Sequence, residues 1–319
     1  MLAELVAHLQ QSLSLLQKQD IQTASQALTT YQPFQDANIL LGDDCAALPD
    51  GDGYLLLATE GLLPAFLESE PWFAGWSAVM VNVSDIYAMG GRPIAVVDAL
   101  WSQPNADLEY LWNGMKAAAQ TYNVPIVGGH TNCHSPYNAL AVAILGRATH
   151  LITSFNAQPG DTLLLTTDFR GKAHPTYPFW DAATSADPAQ LRADLAILPE
   201  LAEMGLCDAG KDISMGGLVG TLLMLLETSG CGAVLQVDQV PCPDSLPLER
   251  WLISFPSYGF LLSVRPEKVA AVRSRFQQQG LVCEAIGKVQ PTQELVLRSQ
   301  DESAVFWDLA QQKLTGFAP

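Results

Sequence analysis

Four short stretches in the first half of the chain combine oxygen or nitrogen ligands with glycine. They are Gly42-Asp43-Asp44, Thr59-Glu60-Gly61, residues 82 to 91, and Val127-Gly128-Gly129-His130-Thr131. A hard cation that bridges phosphates prefers carboxylate oxygens, and phosphates need the close backbone approach that glycine permits. These residue types therefore predict a Mg-nucleotide site, with ATP chemistry as the function.

Asp85 is an acid within an almost wholly apolar stretch, residues 79 to 91, whose spacing predicts an α-helix. An acid in such surroundings needs a partner, which favours a functional role over a solvent-facing one. Asn82 lies one turn earlier on the same side and is expected to support Asp85 or to bind a phosphate. For Asp43 and Asp44, an ordinary acidic turn is the competing interpretation.

The second half of the chain contains one comparable motif, Lys211 to Leu218. Asp212 or Ser214 could cap the helix that follows, and Gly216 and Gly217 would allow tight packing. The same residues would also suit an anion, because a helix start offers unpaired N–H groups. The sequence leaves capping and anion binding equally open.

A basic cluster follows the first predicted strand of the second half. Arg170, Lys172 and His174 surround Gly171 in a chain that is otherwise strongly acidic. Such a cluster could bind a carboxylate or phosphate of a substrate, and an exposed loop with solubilising charges is the alternative.

Composition narrows the classes of partner. The 319 residues carry a net charge of -17, which disfavours binding to nucleic acid or to anionic membranes. The start of the chain lacks the features of a signal peptide, and no apolar run approaches about 20 residues, so we expect a cytoplasmic protein. His130, Cys133 and His134 give only three nearby candidate ligands, which disfavours zinc.

Hydrophobic periodicity predicts an α/β protein of two domains. Helical patterns cover residues 2–18, 22–30, 72–89, 106–122, 188–204, 215–228 and 266–279, and strand patterns cover 55–59, 94–100, 125–127, 138–148, 162–167, 233–237, 260–264 and 283–289. A polar, turn-rich segment at 152–161 places the boundary near residue 155. The predicted domains are therefore 1–155 and 156–319.

The order of these motifs, with Lys211 to Leu218 and the strand-like Ser257 to Val264 following, resembles a known superfamily. Its members include aminoimidazole ribonucleotide (AIR) synthetase, thiamine-monophosphate kinase, selenophosphate synthetase and a hydrogenase-maturation protein. The resemblance to this PurM-like group extends over roughly 230 residues, and it is specific because five motifs occur in the family's order.

The resemblance implies a fold and a set of roles. The fold has two α/β domains, with N-terminal domains that pair in a homodimer through a β-barrel interface. ATP and Mg would lie against the N-terminal domain and the acceptor toward the C-terminal one. The implied metal and phosphate residues are Asp43, Asp44, Glu60 and Asp85; Gly128, Gly129, His130 and Thr131 would form a phosphate loop, and Asp212 would belong to the C-terminal motif.

Three positions depart from the thiamine-monophosphate-kinase pattern, which has Asp where this chain has Glu60, His130 and Met215. His is a poor Mg ligand, although Gly-Gly-His also resembles selenophosphate synthetases. We expect an ATP- and Mg-dependent enzyme that phosphorylates or phosphate-activates a small anionic molecule. The alternatives are a non-catalytic nucleotide-binding or assembly subunit and a true thiamine-monophosphate kinase.

Overall fold

The computed structural model describes residues 2–29, 39–104, 106–255 and 259–317. Its helices are α1 (Leu2–Gln10), α2 (Leu13–Leu16), α3 (Ile21–Thr29), α4 (Pro64–Ser69), α5 (Pro71–Ala88), α6 (Glu109–Tyr122), α7 (Pro188–Glu203), α8 (Gly217–Ser229), α9 (Leu248–Trp251) and α10 (Val269–Gln278). Its strands are β1 (Ala46–Asp50), β2 (Gly53–Leu62), β3 (Arg92–Trp101), β4 (Ile126–Asn132), β5 (Ala139–Ala148), β6 (Thr162–Thr167), β7 (Lys172–Ala173), β8 (Trp180–Asp181), β9 (Ala209–Asp212), β10 (Gly232–Gln236), β11 (Gly259–Val264), β12 (Val282–Gln290), β13 (Glu294–Ser299) and β14 (Glu302–Asp308). The predicted α/β class is confirmed.

The chain forms two compact units, each assembled from separate stretches of sequence. The seven-stranded unit contains Met1–Asp43, Ile152–Ala182 and Leu201–Pro319, and the five-stranded unit contains Asp44–Leu151 and Ala183–Glu200. The boundary predicted near residue 155 lies close to the passage from Leu151 to Ile152. The structure adds that the first 43 residues group with the C-terminal part of the chain.

The five-stranded unit is a mixed sheet in the order β1-β2-β5-β3-β4. Only β3 and β4 are parallel neighbours, and the other pairs are antiparallel. Helix α5 is apolar on nearly all sides, and such a helix is stable only when it is surrounded by protein. It covers one face of the sheet, because a side chain at Gly146 would collide with that of Ile86.

The two faces of this sheet differ in burial. The face that α5 covers carries the buried side chains of Leu56, Val96, Val142 and Ile144. The opposite face carries Leu57, Val97 and Leu145, which are 47%, 42% and 36% exposed. Leu57 and Leu145 are cross-strand partners, so the exposed apolar side chains are neighbours.

The seven-stranded unit is built on the sheet β14-β13-β10-β12-β6-β11-β9. Every residue of β11 is buried, and α8 is buried along almost its whole length. Leu222, Leu225 and Leu261 belong to the same core. Strands β13 and β14, which the sequence patterns did not indicate, extend this sheet at one edge.

Leu314 and Thr315 are fixed within the seven-stranded unit by Glu227, whose side chain is buried near the end of α8. Its carboxylate accepts hydrogen bonds from the backbone N–H groups of Leu314 and Thr315, both 2.8 Å, and from Thr315 Oγ1 at 2.6 Å. Gln22 of α3 donates to the Lys313 and Leu314 carbonyls. This segment is therefore tied to two helices.

Two further observations concern the helices. The helix predicted over residues 2–18 is interrupted, because Ser12 adopts an extended backbone between α1 and α2. Within the described residues, none of the helices is both long enough and apolar enough to cross a bilayer.

Candidate metal and nucleotide site

Asp44 and Asp85 form a close pair of carboxylates in the five-stranded unit. Asp85 projects from α5 and is 6% exposed, and Asp44 lies two residues before β1. Carboxylate oxygens of the two residues lie within 4.8 Å of each other. Two negative charges at this distance repel unless a cation or a proton compensates them. An oxygen-only pair of this kind suits a hard cation such as Mg.

Asn82 faces the sheet, since it lies four residues before Ile86 on the same side of α5. It is fully buried, and its amide nitrogen donates to the Ala78 carbonyl at 2.8 Å. Its Oδ1 has no hydrogen-bond partner within the described part of the chain. A buried acceptor without a partner is costly, and a cation or a donor on a ligand would satisfy it. The donor set of this unit therefore fits Mg.

Glu60 lies on β2 and is exposed, opposite Val142 of β5. Its side chain points to the face of the sheet that α5 covers, because it alternates in phase with Leu56 and Ala58. The predicted metal residues Asp44, Glu60 and Asp85 thus belong to the five-stranded unit.

Asp98 is a buried acid that the sequence analysis missed. It lies on β3 midway between Val96 and Leu100, whose side chains point to the same face of the sheet, and all three side chains are buried. Burial raises the pKa of the Asp98 carboxyl group, and a hydrogen bond from its own backbone N–H only partly opposes this effect. The sequence did contain a signal for this residue, because Asp98 is an acid at an inward-facing position of an otherwise apolar strand.

The structure corrects the predicted conformation of Gly128, Gly129, His130 and Thr131. These residues continue β4 instead of forming a loop. Gly129 pairs with Asp98 and His130 with Ala99, so the side chains of His130 and Asp98 point to opposite faces of the sheet. The His130 ring lies 6.0 Å from that of Trp101. A phosphate-binding role for these residues stays a prediction.

Asp43 differs from Asp44 in its surroundings. Both of its carboxylate oxygens have partners in the seven-stranded unit: Lys211 Nζ lies 3.6 Å from Oδ1, and the Ser154 N–H donates to Oδ2 at 2.8 Å. Lys211 and Asp43 are both almost fully buried. These contacts favour an anchoring role for Asp43, and its role as a metal ligand stays a prediction.

The motif around Asp212 lies at the end of β9 and the start of α8. Asp212 is buried on β9, opposite Phe260. Gly216 and Gly217 have φ values of +100° and +62°, and a Cβ at Gly217 would lie 2.3 Å from the Ile253 Cα. Backbone conformation and close packing therefore explain both glycines, and an additional role in anion binding stays a prediction.

The predicted substrate residues lie around the β7–β8 ribbon. Arg170 forms a two-point contact with Asp168, with Nε 2.7 Å from Oδ1 and Nη2 2.8 Å from Oδ2. His174 Nδ1 accepts from the backbone N–H groups of Thr176 and Tyr177. Lys172 is exposed. Local contacts thus organise Arg170 and His174, and substrate binding by the three residues stays a prediction.

This architecture, with two α/β units and an oxygen-rich acidic site in one of them, defines the class of protein. Residues 42–148 match the model of the AIR synthase related protein N-terminal domain, and residues 158–300 match that of the C-terminal domain. The chain belongs to the AIR synthase related family, and its PurM-like fold is confirmed.

Several relatives support this assignment. A protein of Synechocystis sp. described as uncharacterized is 58% identical over 318 residues, which cover 99% of each chain. A selenide, water dikinase of Colwellia psychrerythraea is 26% identical and covers 81% of this chain and 87% of its own. A thiamine-monophosphate kinase of Pyrococcus horikoshii is also 26% identical and covers 83% and 88%.

A solved structure supports the fold. AaThiL complexed with AMPPCP and TMP superposes with a TM-score of 0.66 at 22% identity, over 84% of this chain and 92% of that one.

Proposed function

We propose that this chain is an ATP- and Mg-dependent enzyme that phosphorylates or phosphate-activates a small anionic molecule. The observation that carries the proposal is the Asp44–Asp85 pair. Phosphoryl transfer depends mainly on positioning and on cations that neutralise the phosphate oxygens, and closely spaced carboxylates are the usual means of holding such cations. The relatives named as a kinase and a dikinase support the same chemistry.

Each group has a distinct role in this proposal. Asp44, Asp85 and Glu60 would hold Mg, which would supply charge neutralisation at the γ-phosphate. Asn82 Oδ1 would accept a hydrogen bond from the ligand or bind the cation, and the exposed backbone of Gly128 and Gly129 would contact the phosphates. The basic residues Arg170, Lys172 and His174 bind the anionic acceptor. A cytoplasmic location stays part of the prediction.

Calorimetric titration with ATP, with and without Mg, tests this proposal. We expect Mg-dependent binding by the native chain and its loss in Asp85→Ala. The matched control is Asp52→Asn, an exposed acid of the same unit that lies 3.6 Å from Arg147, and it should bind as the native chain does. Binding that does not require Mg, or that survives Asp85→Ala, would contradict the proposal.

One structural observation favours the alternative of a non-catalytic nucleotide-binding or assembly subunit. The side chain of His130, which replaces an acid of the kinase pattern, points away from the face that carries Asp98 and Glu60. Mg-dependent ATP binding with no ADP release in the presence of any of a panel of anionic acceptors would support this function. Thiamine monophosphate belongs in that panel, because turnover with it alone would identify a thiamine-monophosphate kinase.

We also propose a homodimer that forms through the exposed face of the five-stranded sheet. Leu57, Val97 and Leu145 expose between 36% and 47% of their surface there. Neighbouring apolar side chains on a sheet face are a common feature of subunit interfaces. Sedimentation of the purified chain over a range of concentrations tests this point.

A further inference from the structure

Asp98 shares one row of the five-stranded sheet with residues of the proposed site. It pairs with Val142 on one side and Gly129 on the other, and Val142 pairs in turn with Glu60. Paired residues point to the same face, so the side chains of Glu60 and Asp98 flank Val142 on the side that α5 covers. Their Cα atoms are separated by two strand spacings, roughly 10 Å.

The Asp98 carboxyl group lies in a desolvated position without full compensation. Asp98 is 8% exposed, and its Oδ2 has no hydrogen-bond partner among the described residues. A carboxylate in such a position is costly to the apo protein. This cost is typical of a group whose partner arrives with a ligand.

Gly129 shows where this carboxyl group lies. A Cβ built on Gly129 would be 2.3 Å from Asp98 Oδ1 and 2.7 Å from the Asp98 carbonyl oxygen. The Asp98 side chain therefore leans over the Gly129 backbone, in space that only glycine leaves open. A phosphate that approached this backbone would meet a carboxylate, and the two groups repel unless a cation lies between them.

We propose that Asp98 ligates a second divalent cation beside Gly129, distinct from the cation held by Asp44 and Asp85. This inference rests on the proposed Mg-nucleotide function. Mg is commonly bound by one or two carboxylates together with phosphate oxygens and water. The Asp98 carboxylate and the phosphate oxygens of a nucleotide would therefore be enough to bind one such ion. Asp98 is not part of the carboxylate group that lies within 4.8 Å in the described structure, which makes the two positions separate.

Counting bound Mn²⁺ tests the proposal directly. Electron paramagnetic resonance measures free Mn²⁺ as the purified chain is titrated in the presence of a non-hydrolysable ATP analogue. We expect about two Mn²⁺ per native chain and about one in Asp98→Asn. Asp85→Asn should bind neither ion, because it loses the nucleotide whose phosphate completes the second site. The control Asp52→Asn should retain the native number.

Each outcome decides between the proposals. If the native chain binds one Mn²⁺, which Asp85→Asn loses and Asp98→Asn keeps, the Mg-nucleotide function stands and the Asp98 site is wrong. If the native chain binds neither Mn²⁺ nor nucleotide, both proposals are wrong. If Asp98→Asn loses one ion and the remaining Mn²⁺ keeps its native affinity, the second site is supported.

A second variant guards against a folding defect in Asp98→Asn. Gly129→Ala places a methyl group against Asp98 Oδ1 while it retains every carboxylate. We expect it to weaken binding of the second Mn²⁺ at least about tenfold, since changes to the groups that orient a metal ligand typically cost 10–100-fold in metal affinity. Native affinity for both ions in a folded Gly129→Ala protein would overturn the proposal.

Discussion

The two sheets differ in how far they bury their apolar side chains. In the seven-stranded unit, every residue of β11 is buried. In the five-stranded unit, β2, β3 and β5 bury one face and expose Leu57, Val97 and Leu145 on the other. Strand β11 lies wholly within a core, whereas the five-stranded sheet has a face suited to a partner. The comparison supports the proposal that a dimer forms through the five-stranded unit.

The buried acids Glu227, Asp161 and Asp98 show a similar contrast. In the seven-stranded unit, Glu227 is fully hydrogen-bonded, and Asp161 accepts from Ser263 Oγ and from the Gln158 N–H and contacts Arg265. In the five-stranded unit, Asp98 Oδ2 has no such partner within the described residues. Satisfied acids are typical of a scaffold, and an unsatisfied one is typical of a binding site.

The largest expected effect concerns the exposed face. Val97→Glu places a charge in the proposed interface, where burial without a partner costs about 3–5 kcal/mol. We expect association to weaken at least about 100-fold, measured by analytical ultracentrifugation. Val305→Glu is the matched control, because Val305 is 49% exposed on β14 of the other unit. A dimer unaffected by Val97→Glu would show that this face is not the interface.

A smaller effect is expected from apolar truncations. Leu261→Ala in β11 removes a fully buried side chain and should lower the free energy of unfolding by about 2–5 kcal/mol. Leu57→Ala in the Val97→Glu background should cost less than about 1 kcal/mol, since surface changes have small effects. Urea unfolding measures both. Equal losses would remove the distinction between the two sheets.

Next in size is the loss of one acceptor at the end of α8. Glu227→Gln replaces a carboxylate oxygen with an NH₂ group that faces backbone donors, so we expect a loss of about 1.5–3 kcal/mol in the free energy of unfolding. Glu267→Gln, at an exposed position of the same unit, is the control. A native unfolding curve for Glu227→Gln would contradict an anchoring role for this carboxylate.

The smallest effect is a pH dependence. Because burial raises the pKa of Asp98, the folded chain holds a proton that the unfolded chain has already released, and stability falls as pH rises from about the ordinary value of 3.8 toward the raised one. Without divalent cations, Asp98→Asn should therefore be more stable than the native chain at neutral pH. The difference should vanish at acid pH. Chemical unfolding at several pH values measures it, and a less stable variant at neutral pH would contradict it.

The sequence predicted the helices and strands whose apolar residues are strongly periodic. It also singled out the acids that lie in recognisable motifs. Helix α5, strands β6 and β11, and the position of Asp85 on a buried helix followed from apolar spacing and are confirmed. The proximity of Asp44 to Asp85 depends on how β1 and α5 pack, and spacing along the chain does not encode it. Asp98 was missed because its position depends on the register between β3 and β4. Only this pairing places it over Gly129.

The hydrogen bonds at Glu227 have a consequence for the order of folding during synthesis. All residues of the five-stranded unit have been made once Glu200 leaves the ribosome, whereas the seven-stranded unit still lacks the residues that contact Glu227 and Gln22. The N–H group of Leu2 donates to Glu302, so this hydrogen bond also forms only after residue 302 has been made. Because domains fold as units once their residues are available, α1 and α3 remain without these contacts until residues 302 to 315 have been made. A chaperone that covers α1 and α3 on the ribosome would therefore act until residues 302 to 315 have emerged.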